Sequence, residues 1–111
     1  MSDLAFDYVE AGMRFARLRA ATLAEDVANA RTPGFVPHDL ARAENGSAGP
    51  GAIGGAPFSA VLHQVAANGT VGLLEYAMSA QAKNAVAYRA LAEQERALLR
   101  ELRTVAQEAR R

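Results

Sequence analysis

Apolar side chains recur near the start of the chain at alternating steps of three and four: Phe6, Val9, Met13, Ala16, Ala20, Leu23, Val27 and Ala30. This seam holds no proline and one glycine, Gly12, and predicts a long amphipathic helix over 3–30 with coiled-coil spacing. Ser2 or Asp3 is placed to accept from the free amides of its first turn. A second run begins at Val71, where Leu74, Met78, Gln81, Ala85, Tyr88, Ala92, Glu95, Leu99, Leu102, Ala106 and Ala109 step by four and three. Leu91, Leu98 and Val105 flank this stripe, which predicts a helix over 71–109. At 1.5 Å per residue the two helices would be roughly 40 and 55 Å long, too long for a compact globule of so small a chain. Between Thr32 and Phe58 lie all four prolines and six of the nine glycines, so 31–70 reads as an irregular region. Asn45 to Gly55 has the composition of a flexible surface loop or hinge. Ser59 to Ala67 suits either a short helix or a strand, and is read here as a short helix ended by Asn68 and Gly69. The expected fold is all-α: two long N- and C-terminal helices forming an elongated coiled-coil-like pair, joined by an irregular Pro/Gly-rich middle with one short helix, in a single elongated domain over 1–111.

Composition thins the expected core. Of the 56 hydrophobic residues 26 are alanine, and Leu, Ile, Val and Phe together supply only 24 bulky side chains. Such a chain is expected to draw stability from a partner or from copies of itself. Alanine along both seams lets helices approach closely, which suits ordered arrays of helices, although high helix propensity alone also accounts for it. Twelve basic residues balance twelve acidic ones, so no net field draws the protein to nucleic acid or anionic lipid. Arg89, Arg96, Arg100 and Arg103 make the C-terminal third basic, yet Glu93, Glu95, Glu101 and Glu108 interleave with them. The plain reading is a solvated stripe; the sharper one is an interface with an acidic neighbour.

Catalytic chemistry is not expected. Cysteine is absent, which excludes thiolate nucleophiles and sulfur metal sites. His38 and His63 lie in the irregular middle, with Asp39 the nearest acidic residue and no constellation at metal-ligand spacing. The Gly-rich stretch lacks the preceding strand and the lysine of a phosphate cradle. No enzyme activity, cofactor or metal is therefore expected, nor a membrane span or a cleavable leader.

The sharpest local signal is Val27 to Phe35, VANARTPGF. Thr32 precedes Pro33 and is pushed out of the helical region, while Pro33 and Gly34 suit the centre of a type II turn. Phe35 then offers a ring to dock back on a helix, and Asn29 can bond backbone groups left open at the helix end.

Ala28, Asn29, Thr32, Pro33, Gly34 and Phe35 together resemble the Ala-Asn-x-x-Thr-Pro-Gly-aromatic signature near the N-terminus of bacterial flagellar rod and hook proteins. Val71, Leu74, Glu75, Met78, Asn84 and Tyr88, with Leu91 after them, are similar to the C-terminal helix of that axial family, most of all its short proximal-rod members of the FlgB type. The likeness covers about residues 10–40 and 69–105. This chain has Asp26 where the family more often has asparagine, Phe35 where it has tyrosine, and Gly69-Thr70 where it has paired asparagines. The resemblance implies a structural subunit of the basal body, exported through the flagellar type III apparatus without a cleaved signal peptide. It would assemble helically into the hollow proximal rod with its own copies, other rod proteins and the hook-basal-body adaptor protein. In that setting Ala28 to Phe35 would be an assembly motif and Val71 to Leu91 a subunit-packing helix. The alternative expectation is a helical-hairpin interaction protein, secreted or cytoplasmic, such as an export adaptor or chaperone.

Overall fold

The computed structural model describes residues 2–43, 52–55 and 58–110. Two helices dominate them: α1, Ser2–Ala28, and α2, Gly69–Ala109. They run antiparallel, because contacts descend along α2 as they climb α1. Gly12 lies under Leu91, Ala16 O accepts from Asn84, Ala20 O from Gln81, and Ala30 O from Thr70.

The middle of the chain is where expectation and structure part. The segment expected to be irregular with one short helix forms a three-stranded antiparallel sheet, β1 (His38–Ala43), β2 (Ala52–Gly55) and β3 (Phe58–Gln64), in the order β1-β3-β2. Strand β3 occupies most of the segment read as a helix. Its register pairs Leu40 with Leu62 and Arg42 with Ala60 on one side, and Ile53 with Ala60 on the other. Pro37 directly precedes β1, where its carbonyl accepts from Val65 N–H at 3.0 Å. Proline is tolerated there because it removes no ladder donor. Of the loop expected over Asn45 to Gly55, the last four residues are β2, and 45–51 lie outside the described residues.

The sheet packs against α1. Strand β1 runs antiparallel to that helix, held by His38 N–H to Asp26, Asp39 to Arg19, and Arg42 to Tyr8. A second stripe on α1 serves this contact through Tyr8, Arg19 and Asp26, while Gly12, Ala16 and Ala20 face α2.

The core is thin. Among the described residues five of the nine buried apolar ones, Ala11, Ala16, Ala60, Ala77 and Ala80, are alanines, and the other four are Val9, Leu23, Leu40 and Leu73. On α2 the stripe expected from Leu74, Met78 and Ala85 is displaced by one position. Leu73, Ala77, Ala80 and Asn84 are buried instead, and Met78 is 66% exposed. Close helix approach selects small residues and one amide for the seam, so the bulkier side chains do not mark it. The Cα radius of gyration is 17.7 Å and the extents are 65 × 28 × 14 Å. A compact domain of this length would have a radius near 13 Å, so the molecule is elongated.

Candidate functional site

Helix α1 ends by side-chain capture. Asn29 Nδ2 donates to Glu25 O at 3.0 Å, and Thr32 Oγ1 lies 3.2 Å from Asn29 Oδ1. Phe35 N–H then donates to Thr32 O at 3.2 Å across Pro33 and Gly34, with Gly34 at φ +78°. A positive φ at the third residue of a four-residue turn is the type II geometry, which only glycine enters without strain. Phe35 is half-buried and, with Ala30, Pro37, Thr70 and Leu73, lines a cavity of about 210 Å³. Thr70 Oγ1 donates to Ala30 O at 3.1 Å, so the turn after α1 and the first residues of α2 form one closed corner.

The residues similar to the family's C-terminal helix divide between two faces. Asn84 is buried, and Tyr88 and Leu91 are half-buried on the α1 side. Val71, Glu75 and Met78 point outward, with Leu74 half-buried between. Asn84 Nδ2 donates to Ala16 O at 2.7 Å and Gln81 Nε2 to Ala20 O at 3.0 Å. These carbonyls lie one turn apart on α1 and already serve the helix, so the two amides act as bolts that fix the sliding register of the pair.

A polar joint that sequence reasoning missed pins the sheet to both helices. Asp39, 1% exposed, receives Arg19 Nε and Nη2 at 2.9 and 3.0 Å, Leu40 N–H at 2.7 Å and Tyr76 O–H at 2.6 Å. Burial alone would push its carboxyl up. The bonds from Arg19, Tyr76 and Leu40 outweigh that and hold it below the usual range. The same pair raises the Arg19 guanidinium, and burial followed by the bond to Asp39 raises the Tyr76 hydroxyl. With all four acceptor positions filled, Asp39 is a clamp and has no lone pair left to act as a base.

Asp26 is the counter-case. It is equally buried, accepts His38 N–H on Oδ1 at 3.1 Å, and leaves Oδ2 without a hydrogen-bond partner. Burial pushes its carboxyl up. The signal for this joint lay in the second stripe of α1, where Arg19 and Asp26 fall at helical spacing with Tyr8, Ala11 and Phe15.

Of the two histidines, His63 is exposed on β3 opposite Asp39, and His38 is half-buried at the start of β1. No group of three or more potential metal ligands occurs among the described residues. An open groove of about 480 Å³ lies between the helices, floored by Ala16, Ala20 and Ala92 and rimmed by Arg17, Arg89 and Arg96. No described helix is long and apolar enough to cross a membrane. What the surface offers is two long, regular, exposed helix faces. Comparison with known protein families, with curated protein sequences and with solved structures finds no match.

Proposed function

We propose that this chain is a structural subunit of the bacterial flagellar basal-body rod, of the proximal type, that assembles helically with its own copies and with other rod proteins. One observation carries the reading. The Ala28 to Phe35 turn and the start of α2, both within the stretches that resemble the axial family, meet at a single corner, where Phe35 lines one cavity with Leu73, and Thr70, a point of departure from the family, donates to Ala30. A signature that served only to stop a helix would have no reason to close against the other. The elongated shape and thin core add support, since such a molecule gains most of its burial from neighbours. In this reading the hook-basal-body adaptor protein and the type III export apparatus are further partners, and the working location is the periplasm-spanning rod.

The test separates export from assembly. Replacing Pro33 and Gly34 together by alanine lets α1 run past Arg31 and opens the corner. An export substrate travels unfolded, so the variant should still reach the culture supernatant, while purified basal bodies should lack it. Normal incorporation of the variant, or absence of the unaltered chain from basal bodies, overturns the reading.

A further inference from the structure

Helix α1 has a third, exposed face, which meets α2 through Arg17 at its edge. Positions 7, 10, 14, 17, 21, 24 and 28 step by three and four, and every one of them is exposed. Its charges are arranged in blocks: acidic Asp7 and Glu10, basic Arg14 and Arg17, then the neutral alanines Ala21, Ala24 and Ala28. Helix α2 also has a second face, turned away from its buried stripe, at positions 78, 82, 86, 89, 93, 96 and 100, again all exposed, with Arg89 and Arg96 on the edge it shares with the groove between the helices. Met78, Ala82 and Val86 make its first half apolar, with Met78 and Val86 66% and 65% exposed. Arg89, Arg96 and Arg100 make its second half basic, with Glu93 inserted among them and bonded to Arg96.

We infer that these two faces are complementary, and that the exposed face of α1 in one copy packs antiparallel on the exposed face of α2 in a second copy of this chain. A single register places Asp7 opposite Arg100, Glu10 opposite Arg96 and Arg14 opposite Glu93. In the same register Ala21, Ala24 and Ala28 stand opposite Val86, Ala82 and Met78, alanines against an apolar strip that is bulky at its two ends. Glu10 and Arg14 then meet Arg96 and Glu93 as an alternating four-charge cluster, and the alignment of the two apolar halves adds the direction. Arg17 opposite Arg89 is the single like-charge position, and Arg17 there already reaches Tyr88 Oη of its own chain at 3.4 Å. A parallel alignment sets the apolar half of one face against the charged half of the other, while an antiparallel shift of one turn keeps three opposite-charge pairs, Asp7 with Arg103, Glu10 with Arg100 and Arg17 with Glu93, but sets Ala21 against Arg89.

The two surfaces differ, so the contact is heterologous. Each copy offers one donor face and one acceptor face, and the arrangement continues as a ring or helical array instead of closing as a dimer. Every α2 would lie between its own α1 and a neighbour's. This inference rests on the self-assembly part of the proposed function and names the surfaces that would carry it.

Because the chain has no cysteine, single thiols report the contact directly. Chains carrying Ala24→Cys are mixed with chains carrying Ala82→Cys, at concentrations where the unaltered protein self-associates, and oxidised with copper phenanthroline. The mixed disulfide should dominate both homodimers, and the preference should vanish in denaturing urea. In parallel, Glu10→Arg and Arg96→Glu should each weaken association by roughly fivefold or more at low salt, and the double variant should recover it. Statistical disulfide yields with intact self-association, or reversals without effect, overturn this seam and leave the rod reading standing. A chain that remains monomeric at every concentration, yet incorporates into basal bodies, overturns the seam and assigns assembly to contacts with other rod proteins.

Discussion

Two aspartates thirteen positions apart in sequence, both 1% exposed, have opposite electrostatic situations. Asp39 is saturated with donors and held below the ordinary carboxylate range, so its contribution to stability is present above that range and is lost as pH falls through its lowered value. Asp39→Ala should cost about 3 kcal/mol, the lower end for a broken buried pair because the Arg19 side chain retains 23% exposure. Urea denaturation at neutral pH measures it, and a loss below about 1 kcal/mol would show that Arg19 and Tyr76 find other partners. Asp26 has its pKa raised, so the sign reverses: its stabilising contribution is full below the ordinary carboxylate range and disappears as pH rises through the raised value. Asp26→Asn keeps an acceptor for His38 N–H and removes the buried charge. The urea midpoint of this variant should rise at about pH 7 and change little at about pH 4, and an equal shift at both would assign the effect to packing instead.

Between the elements, polar side chains set the register where alanine cannot. An alanine seam is nearly smooth, and neighbouring registers of α1 against α2 would bury similar area. Asn84 and Gln81 break that degeneracy through the carbonyls of Ala16 and Ala20. Asn84→Ala should cost about 1 kcal/mol by thermal melting, and its amide NMR spectrum should show the doubled α1 resonances of a shifted helix pair. A single set of resonances at unaltered positions would mean that packing alone fixes the register. The two helices were legible in the sequence because their periods are long and free of proline. The corner at Thr32 to Phe35 was legible because Pro33 and Gly34 admit few backbone conformations. The sheet was not. In β3 the alternation is weak, with Ala60 buried and Leu62 exposed, and half of β2 is glycine, so neither propensity nor period marks a strand. The Asp39 joint was hidden for the same reason, since an inward strand position has meaning only once the strand is known.

Over the whole molecule, the small core implies marginal stability as a single copy. If association supplies the missing burial, a tenfold increase in protein concentration should raise the melting temperature by roughly 3 °C or more. A concentration-independent, cooperative melt would show that the isolated chain is sufficient. The helices are also unequal: α1 has 27 residues and α2 has 41, and the end of α1 is level with the start of α2 at the Thr70–Ala30 corner. All the excess therefore accumulates at the far end, where every residue over 101–110 is exposed. One end of the molecule is a closed knot of turn, cavity and capped helix, and the other is a bare peg about five turns from the last amide bolt. The molecule thus has a direction, like an arrow with fletching at one end only. Any array of its copies built in a common orientation inherits a top and a bottom, and the next copy to arrive meets different chemistry according to the end at which the array grows.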